Sequence, residues 1–134
     1  MIVIDSSAVL AIIFEEPEAY EMLVRLTNAE GRVMSVANAM EAHMVLAGRN
    51  MAGGGRLALD GLLERHAIDL RSVDEPQLQL ARGAFDRFGK GRGHRAQLNF
   101  GDCFAYALAK SLDAPLLYKG NDFAATDIAS AFST

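Results

Sequence analysis

Four carboxylates stand where an acid is hard to place. Asp5 directly follows the apolar run "MIVI", and Asp122 follows "LLYKG" by a few residues. Glu41 shares a helical face with Ala37, Asn38, Met44 and Val45, the positions three and four residues away. Asp102 is followed, one turn on, by Ala105, Tyr106 and Ala109. Each acid taken singly has an ordinary explanation. Asp5 can cap a helix, Glu41 can reach water or an arginine from the rim of its stripe, and "NFGD" has the form of a capping box with Asn99 as cap. The set is the signal, because a carboxylate on a packed face must be hydrogen-bonded, ion-paired or metal-bound. Converging carboxylates raise one another's pKa values unless a cation neutralises them. An all-oxygen donor set suits Mg²⁺ or Mn²⁺. Such an ion, with waters to spare, activates a water and stabilises charge on a phosphoryl oxygen, which points to phosphate-ester hydrolysis.

Other chemistries find less support. His43, His66 and His94 are widely spaced and form no zinc pattern with Cys103. Each reads as a surface or core residue, and Cys103 as a small buried apolar side chain. No serine sits on a strand-turn-helix elbow. Gly53, Gly54 and Gly55 lack a following Lys-Ser/Thr pair, so they read as a flexible break rather than a phosphate loop. The net charge is −4, which does not attract polyanions as a whole. Residues 82 to 95, however, hold five basic side chains against Asp86, a net +4 that leaves −8 elsewhere. Arg87, Lys90, Arg92 and Arg95 in this stretch are candidates for meeting a nucleic-acid backbone, against the plainer reading of a solvated helix face running into a loop.

The elements that must position these acids follow from the apolar pattern. "MIVI" reads as a short buried strand, and "SSAVLAIIFEE" as a helix capped by Ser6 or Ser7 and stopped by Pro17. "EPEAYEMLVRLTN" is a second helix, "GRVMS" a strand, and "SVANAMEAHMVLAGRN" a helix with Ser35 as its cap. "RLALDGLLERH" is an amphipathic helix and "AIDLRSV" a strand; "DEPQLQLARGAFDRF" is a helix with Pro76 in its first turn. "GKGRGHRAQLN" reads as a basic, Gly-rich loop that is mobile until it meets a partner. "NFGDCFAYALAKSLD" is a helix, "PLLY" a strand, and "NDFAATDI" a short helical turn. Alternating strands and helices predict an α/β fold with a mostly parallel sheet. In such sheets the functional crevice lies outside the carboxyl ends of the strands, where Asp5 and Asp122 both fall.

The length, 134 residues, suits one domain over 1–134 with a single core, and 51% hydrophobic residues argue against disorder. The apolar run Ala8 to Phe14 is far short of the roughly 20 residues that span a bilayer. No basic segment precedes it, and the single cysteine permits no internal disulfide, so the expected location is cytoplasmic with no membrane contact.

"IVIDSSAVLAI", Glu41 in the helix after the second strand, "LNFGDCFAYALAK" and "PLLYKGNDFAATDI" resemble the PIN-domain ribonucleases, specifically the VapC-like toxins of bacterial toxin–antitoxin modules. The resemblance covers nearly the whole chain. It implies a three-layer α/β/α sandwich and a Mg²⁺- or Mn²⁺-dependent endoribonuclease. Carried over by position, Asp5, Glu41, Asp102 and Asp122 match the acidic quartet, and Ser7 matches a hydroxyl that orders the site. Asp127 falls at a peripheral polar position, and Asn121 stands where many relatives carry Asp. The resemblance further implies an RNA substrate, a homodimer, and a small antitoxin that blocks the site. The apolar first helix and Tyr20, Met22, Leu23 and Leu26 of the second suggest a groove for an amphipathic antitoxin helix, unless these helices bury against each other and a dimer mate. Two rival readings remain. "DSSAV" with "KGNDFAATD" is faintly similar to haloacid-dehalogenase-type phosphatases, although Ser7 stands where their second Asp belongs. Alternatively, the chain is a catalytically silent PIN-fold binding module whose acids only cap helices.

Overall fold

The computed structural model describes residues 1–49, 51 and 55–132. Chain order is β1 (Ile2–Ile4), α1 (Ser6–Ile13), α2 (Ala19–Asn28), β2 (Arg32–Ser35), α3 (Val36–Gly48), α4 (Gly55–Arg65), β3 (Asp69–Arg71), α5 (Glu75–Phe88), α6 (Phe100–Leu112) and β4 (Leu116–Leu117). The four strands form one sheet in the order β3-β2-β1-β4, and every pairing is parallel. The expected α/β class and parallel sheet are both present.

Strand alternation divides the core in two. Ile2, Ile4, Met34 and Leu117 face one side, where they pack with Ala8, Val9, Met22, Leu26, Ala42, Leu46, Leu59 and Leu62 from α1 to α4. Val3, Val33 and Leu116 face the other, against Ala81, Ala84 and Phe88 of α5 and Ala105, Tyr106 and Leu108 of α6. Helices on both faces of one sheet make the three-layer α/β/α sandwich. A register slip of one residue would exchange the two faces of β1 and carry Asp5 off its edge. With each fully buried Ile, Val or Leu contributing about 1.5–3 kcal/mol over exposure, the observed register is strongly favoured.

Several local expectations need correction. The cap of α1 is Asp5, not Ser6 or Ser7; its carboxylate accepts from the Ser7 amide, and Ser6 is the first helical residue. Asp5 wins because it alone lies in extended backbone, the conformation that aims a cap at the following amides. The strand expected over "AIDLRSV" shrinks to Asp69–Arg71 at the edge of the sheet, where Leu70 is exposed. "NDFAATDI" forms turns and bends instead of helix, with Thr126 Oγ1 closing on the Phe123 carbonyl. Gly53 and Gly54 lie outside the described residues. Gly55 opens α4 so close to Leu46 that a Cβ there would collide with the Leu46 side chain.

The basic loop is tied at its base. Leu98 N donates to Phe88 O and Lys90 N to Leu98 O, while Ala96 and Leu98 are buried. Gly91 and Gly93 adopt φ of 85° and 81°, a region that disfavours a side chain, so the glycines shape the turn. Lys90, Arg92 and Arg95 are exposed on it. No described helix is long and apolar enough to cross a membrane.

Candidate active site

A helix that returns between parallel strands runs antiparallel to them, so its N-terminus lies at their carboxyl edge. That geometry brings three acids together here. Asp5 leaves β1 and caps α1; Glu41 lies in the second turn of α3, which starts directly after β2. Asp102 is in the first turn of α6. Asp122 comes from the turn after β4, just past Gly120, whose φ of 97° reverses the chain. All four line one cavity of about 220 Å³. Ser6, Ser7, Asn99 and Lys119 share its wall.

Asp5 is 2% exposed. Its Oδ2 accepts from the Ser7 amide at 3.1 Å and from Ser7 Oγ. Ser7 Oγ in turn accepts from the Lys119 amide at 2.9 Å. Because an amide can only donate, the serine's single proton is committed to Asp5. The other oxygen, Asp5 Oδ1, is buried and has no partner. Burial pushes the Asp5 carboxyl up to about 6, against the lowering by its Ser7 bonds and with help from the Glu41 charge.

Asp102 closes the capping box with Asn99: the Asn99 amide donates to Asp102 Oδ2 at 3.0 Å, and the Asp102 amide to Asn99 Oδ1 at 2.9 Å. The capping explanation is therefore correct, and it does not exclude the other. Burial raises the Asp102 carboxyl to about 7 against the Asn99 bond, and the charges of Asp5, Asp122 and Glu41 raise it further.

Glu41 accepts from Ser6 Oγ at 2.5 Å and from Asn38 Nδ2 at 3.4 Å. Asn38 Nδ2 also donates to the Gly101 carbonyl at 2.9 Å, which joins α3 to α6. A Cβ at Gly101 would overlap the Glu41 carboxylate, so this position admits only glycine while Glu41 stays in place. Lys119 Nζ is turned to Glu16 at 2.6 Å and Glu18 at 3.5 Å.

The remaining expected residues lie apart from the cavity. Asp127 accepts from the Tyr106 hydroxyl at 2.7 Å and pairs with Lys110 at 3.1 Å and Arg87 at 3.7 Å. Burial opposes it, but these partners hold its carboxyl below the usual range. Arg87 is thus engaged with Asp127 and stacked on the Phe88 ring at 4.5 Å, whereas Lys90, Arg92 and Arg95 project from the loop. Cys103 is buried, and burial together with Asp102 raises its thiol to about 11, in keeping with an inert apolar role. Sequence reasoning did not assign Ser6, Asn38 or Gly101 to the site. Asn38 carried a readable signal, since a polar residue three before Glu41 on a packed face needs a partner.

The donor set fits a hard divalent cation. Its acids offer only oxygens, and Asp5 Oδ1 is a buried acceptor without a donor. As placed, no three His, Cys, Asp or Glu side chains among the described residues stand close enough to hold a metal ion. A cation would draw the carboxylates together, which the exposed Asp122 leaves room to do.

Comparison with known proteins places the chain in a family. The sequence profile of the PIN domain matches residues 2–129. The chain belongs to the PIN-domain family. It is 46% identical over 128 residues to a protein named Ribonuclease VapC30 of Mycobacterium tuberculosis, covering 96% of each chain. Among solved structures, this PIN domain superposes on Mycobacterium tuberculosis VapC20, described as a sarcin-ricin-loop-cleaving toxin, with a TM-score of 0.74 at 14% identity over 96% of both chains. It also superposes on a chain of a toxin–antitoxin complex from Klebsiella pneumoniae, with a TM-score of 0.68 at 14% identity over 95% and 93% of the two chains. At that identity the structural matches speak for the fold.

Proposed function

We propose that this PIN domain is a Mg²⁺- or Mn²⁺-dependent endoribonuclease and the toxin of a toxin–antitoxin pair. One observation carries the catalytic reading: a buried Asp5 with one unpartnered oxygen lines the same cavity as Glu41, Asp102 and Asp122, at the carboxyl edge of a parallel sheet. Buried carboxylate oxygens are usually hydrogen-bonded, so an unpartnered one inside an acidic cavity favours a ligand. The nomenclature of the 46%-identical relatives supports RNA as the substrate. A divalent ion held there would polarise a phosphoryl oxygen and lower the pKa of a water.

The chain's own residues prepare that chemistry. Ser7 fixes Asp5 so that Oδ1 stays free, and the Asn99 box fixes Asp102. Asp122, exposed on its turn, can approach from the open side. The exposed Lys90, Arg92 and Arg95 offer cations to the RNA backbone on the loop that leads into Asn99.

Asp5→Asn, Glu41→Gln, Asp102→Asn and Asp122→Asn should each weaken Mn²⁺ binding and RNA cleavage while the fold persists. Calorimetric titration beside a cleavage assay tests this, and a fully active variant removes that residue from the site. Phosphatase chemistry through an aspartyl nucleophile is less well supported: Ser7 stands where the second acid is needed and already donates to Asp5.

An antitoxin partner rests on the relatives and on α2. Met22 and Leu26 turn into the core, so the expected groove is narrower than the sequence suggested. Its outer side is Tyr20 and Val24 with Phe132, all exposed. Co-expression with an adjacent small open reading frame should give a complex with suppressed nuclease activity. A partner that co-purifies without inhibiting would refute the toxin reading and leave the nuclease. A homodimer belongs to the same reading, supported by the apolar cleft of Met40, Met44, Phe100 and Phe104 beside Glu41.

A further inference from the structure

Glu41 is held by side chains that the proposed reaction does not itself require. Ser6 Oγ, from α1, donates to Glu41 Oε1 across 35 residues of sequence. Asn38 Nδ2, one turn before Glu41 on α3, donates to the same oxygen and more closely to the Gly101 carbonyl of α6. Ser6 is 6% exposed and Asn38 fully buried. Asn38 also ties α3 to α6 through the Gly101 carbonyl, whereas Ser6 makes no other side-chain bond among the described residues. The cap of α1 is Asp5, so the Ser6 hydroxyl is not needed there. Asn38 Oδ1 is buried without a partner, so its amide hydrogens, directed at Glu41 and Gly101, carry its contacts.

The two donors converge on Oε1 and leave Oε2 its lone pairs, seated where Gly101 lacks a side chain. Ser7 treats Asp5 in the same way, binding Oδ2 and leaving Oδ1 unpartnered. Consecutive serines thus orient two acids of one cavity. An unsupported glutamate has three rotatable side-chain bonds and, beside three like charges, would swing to water. Groups that hydrogen-bond a ligating carboxylate commonly change metal affinity by 10- to 100-fold when removed.

We propose that Ser6 and Asn38 are positioning residues, which hold the Glu41 carboxylate against α6 so that a divalent cation meets it already oriented. The proposal rests on the metal-dependent reading above. Its test is the Mn²⁺ affinity of the full chain by calorimetry, for wild type, Ser6→Ala, Glu41→Gln and the double variant. Ser6→Ala retains the Asp5 cap and places a good helix former at the first helical position. Thermal unfolding in EDTA checks that it folds, and the near-isosteric Ser6→Cys, a weak donor, carries the same prediction. Ser6→Ala should weaken Mn²⁺ binding about tenfold or more. In the Glu41→Gln background the same change should have an effect below about twofold. Wild-type affinity in folded Ser6→Ala would overturn the proposal, as would an equal loss in both backgrounds, since the hydroxyl would then act elsewhere. A wild-type protein that binds no Mn²⁺ overturns the metal reading and this proposal with it.

Discussion

Gly101→Ala should separate stability from function in this PIN domain. The new Cβ would fall on the Glu41 carboxylate, overlapping Oε2, Cδ and Oε1. Those atoms are the far end of a flexible side chain, and Glu41 is only half-buried, so the carboxylate can leave. Two effects on stability then oppose each other. Alanine is better than glycine inside a helix by about 1 kcal/mol, and Gly101 lies in the first turn of α6. Loss of the Ser6 bond to a charged acceptor costs about 1.5–3 kcal/mol, reduced because the displaced carboxylate regains water and leaves Asp5 and Asp102. The net change is within about 2 kcal/mol, a shift of several degrees in Tm. Metal affinity and cleavage should fall about 10- to 100-fold, matching Glu41→Gln. Thermal unfolding in EDTA, Mn²⁺ titration and RNA cleavage on one preparation would decide it. A folded Gly101→Ala with wild-type affinity and cleavage refutes the reasoning, because Glu41 would not need its place. Wholesale unfolding refutes it too, because the carboxylate would have been unable to yield.

Asp5 and Asp102 make the metal-free protein sensitive to pH. Both folded-state pKa values lie above the ordinary carboxylate value of 3.8, at about 6 and about 7, so their contribution is fully present below pH 3.8 and is lost progressively as pH rises through 6 to 7. The Asp5 share is on the order of 3 kcal/mol, and Asp5→Asn, which keeps a capping oxygen, should remove it and raise Tm at pH 7.5 in EDTA; a Tm independent of pH in wild type would contradict this. Neutralising Lys90, Arg92 and Arg95 should weaken RNA binding and flatten its salt dependence while Mn²⁺ affinity holds, whereas Arg87→Gln, already paired with Asp127, should change the slope less. Equal slopes in wild type and the triple variant would reduce the loop to a solvated surface.

Much of this was legible in the sequence because the signals are short-range. The continuous apolar run "MIVI" marked a buried strand, and the strand-helix alternation then indicated which edge Asp5 must face. Glu41 and Asp102 were readable as acids on packed faces, and Asn99 as a cap. What escaped is long-range pairing. Nothing near Ser6 in the chain points to Glu41, and Gly101 looks like an ordinary helix-start glycine until α3 is packed against it. The cap of α1 stayed open among Asp5, Ser6 and Ser7 because serine and aspartate cap equally well, and only the backbone conformation at Asp5 decides. Asp127 and Arg87 were both read as functional, and the fold pairs them with each other. The helical turn expected over 121–128 failed because its apolar residues, Phe123 and Ile128, are drawn into the core from a chain that is otherwise reversing direction.

The proposed metal-dependent ribonuclease site is the cavity of Asp5, Glu41, Asp102 and Asp122. The most direct test is cleavage of total cellular RNA by purified wild-type protein, with and without EDTA, followed by re-addition of Mg²⁺ or Mn²⁺, alongside folded Asp5→Asn. Wild type should give discrete cleavage that EDTA abolishes, that either ion restores, and that Asp5→Asn lacks under every condition. Cleavage that survives EDTA, or that Asp5→Asn performs as well as wild type, would contradict the proposed site.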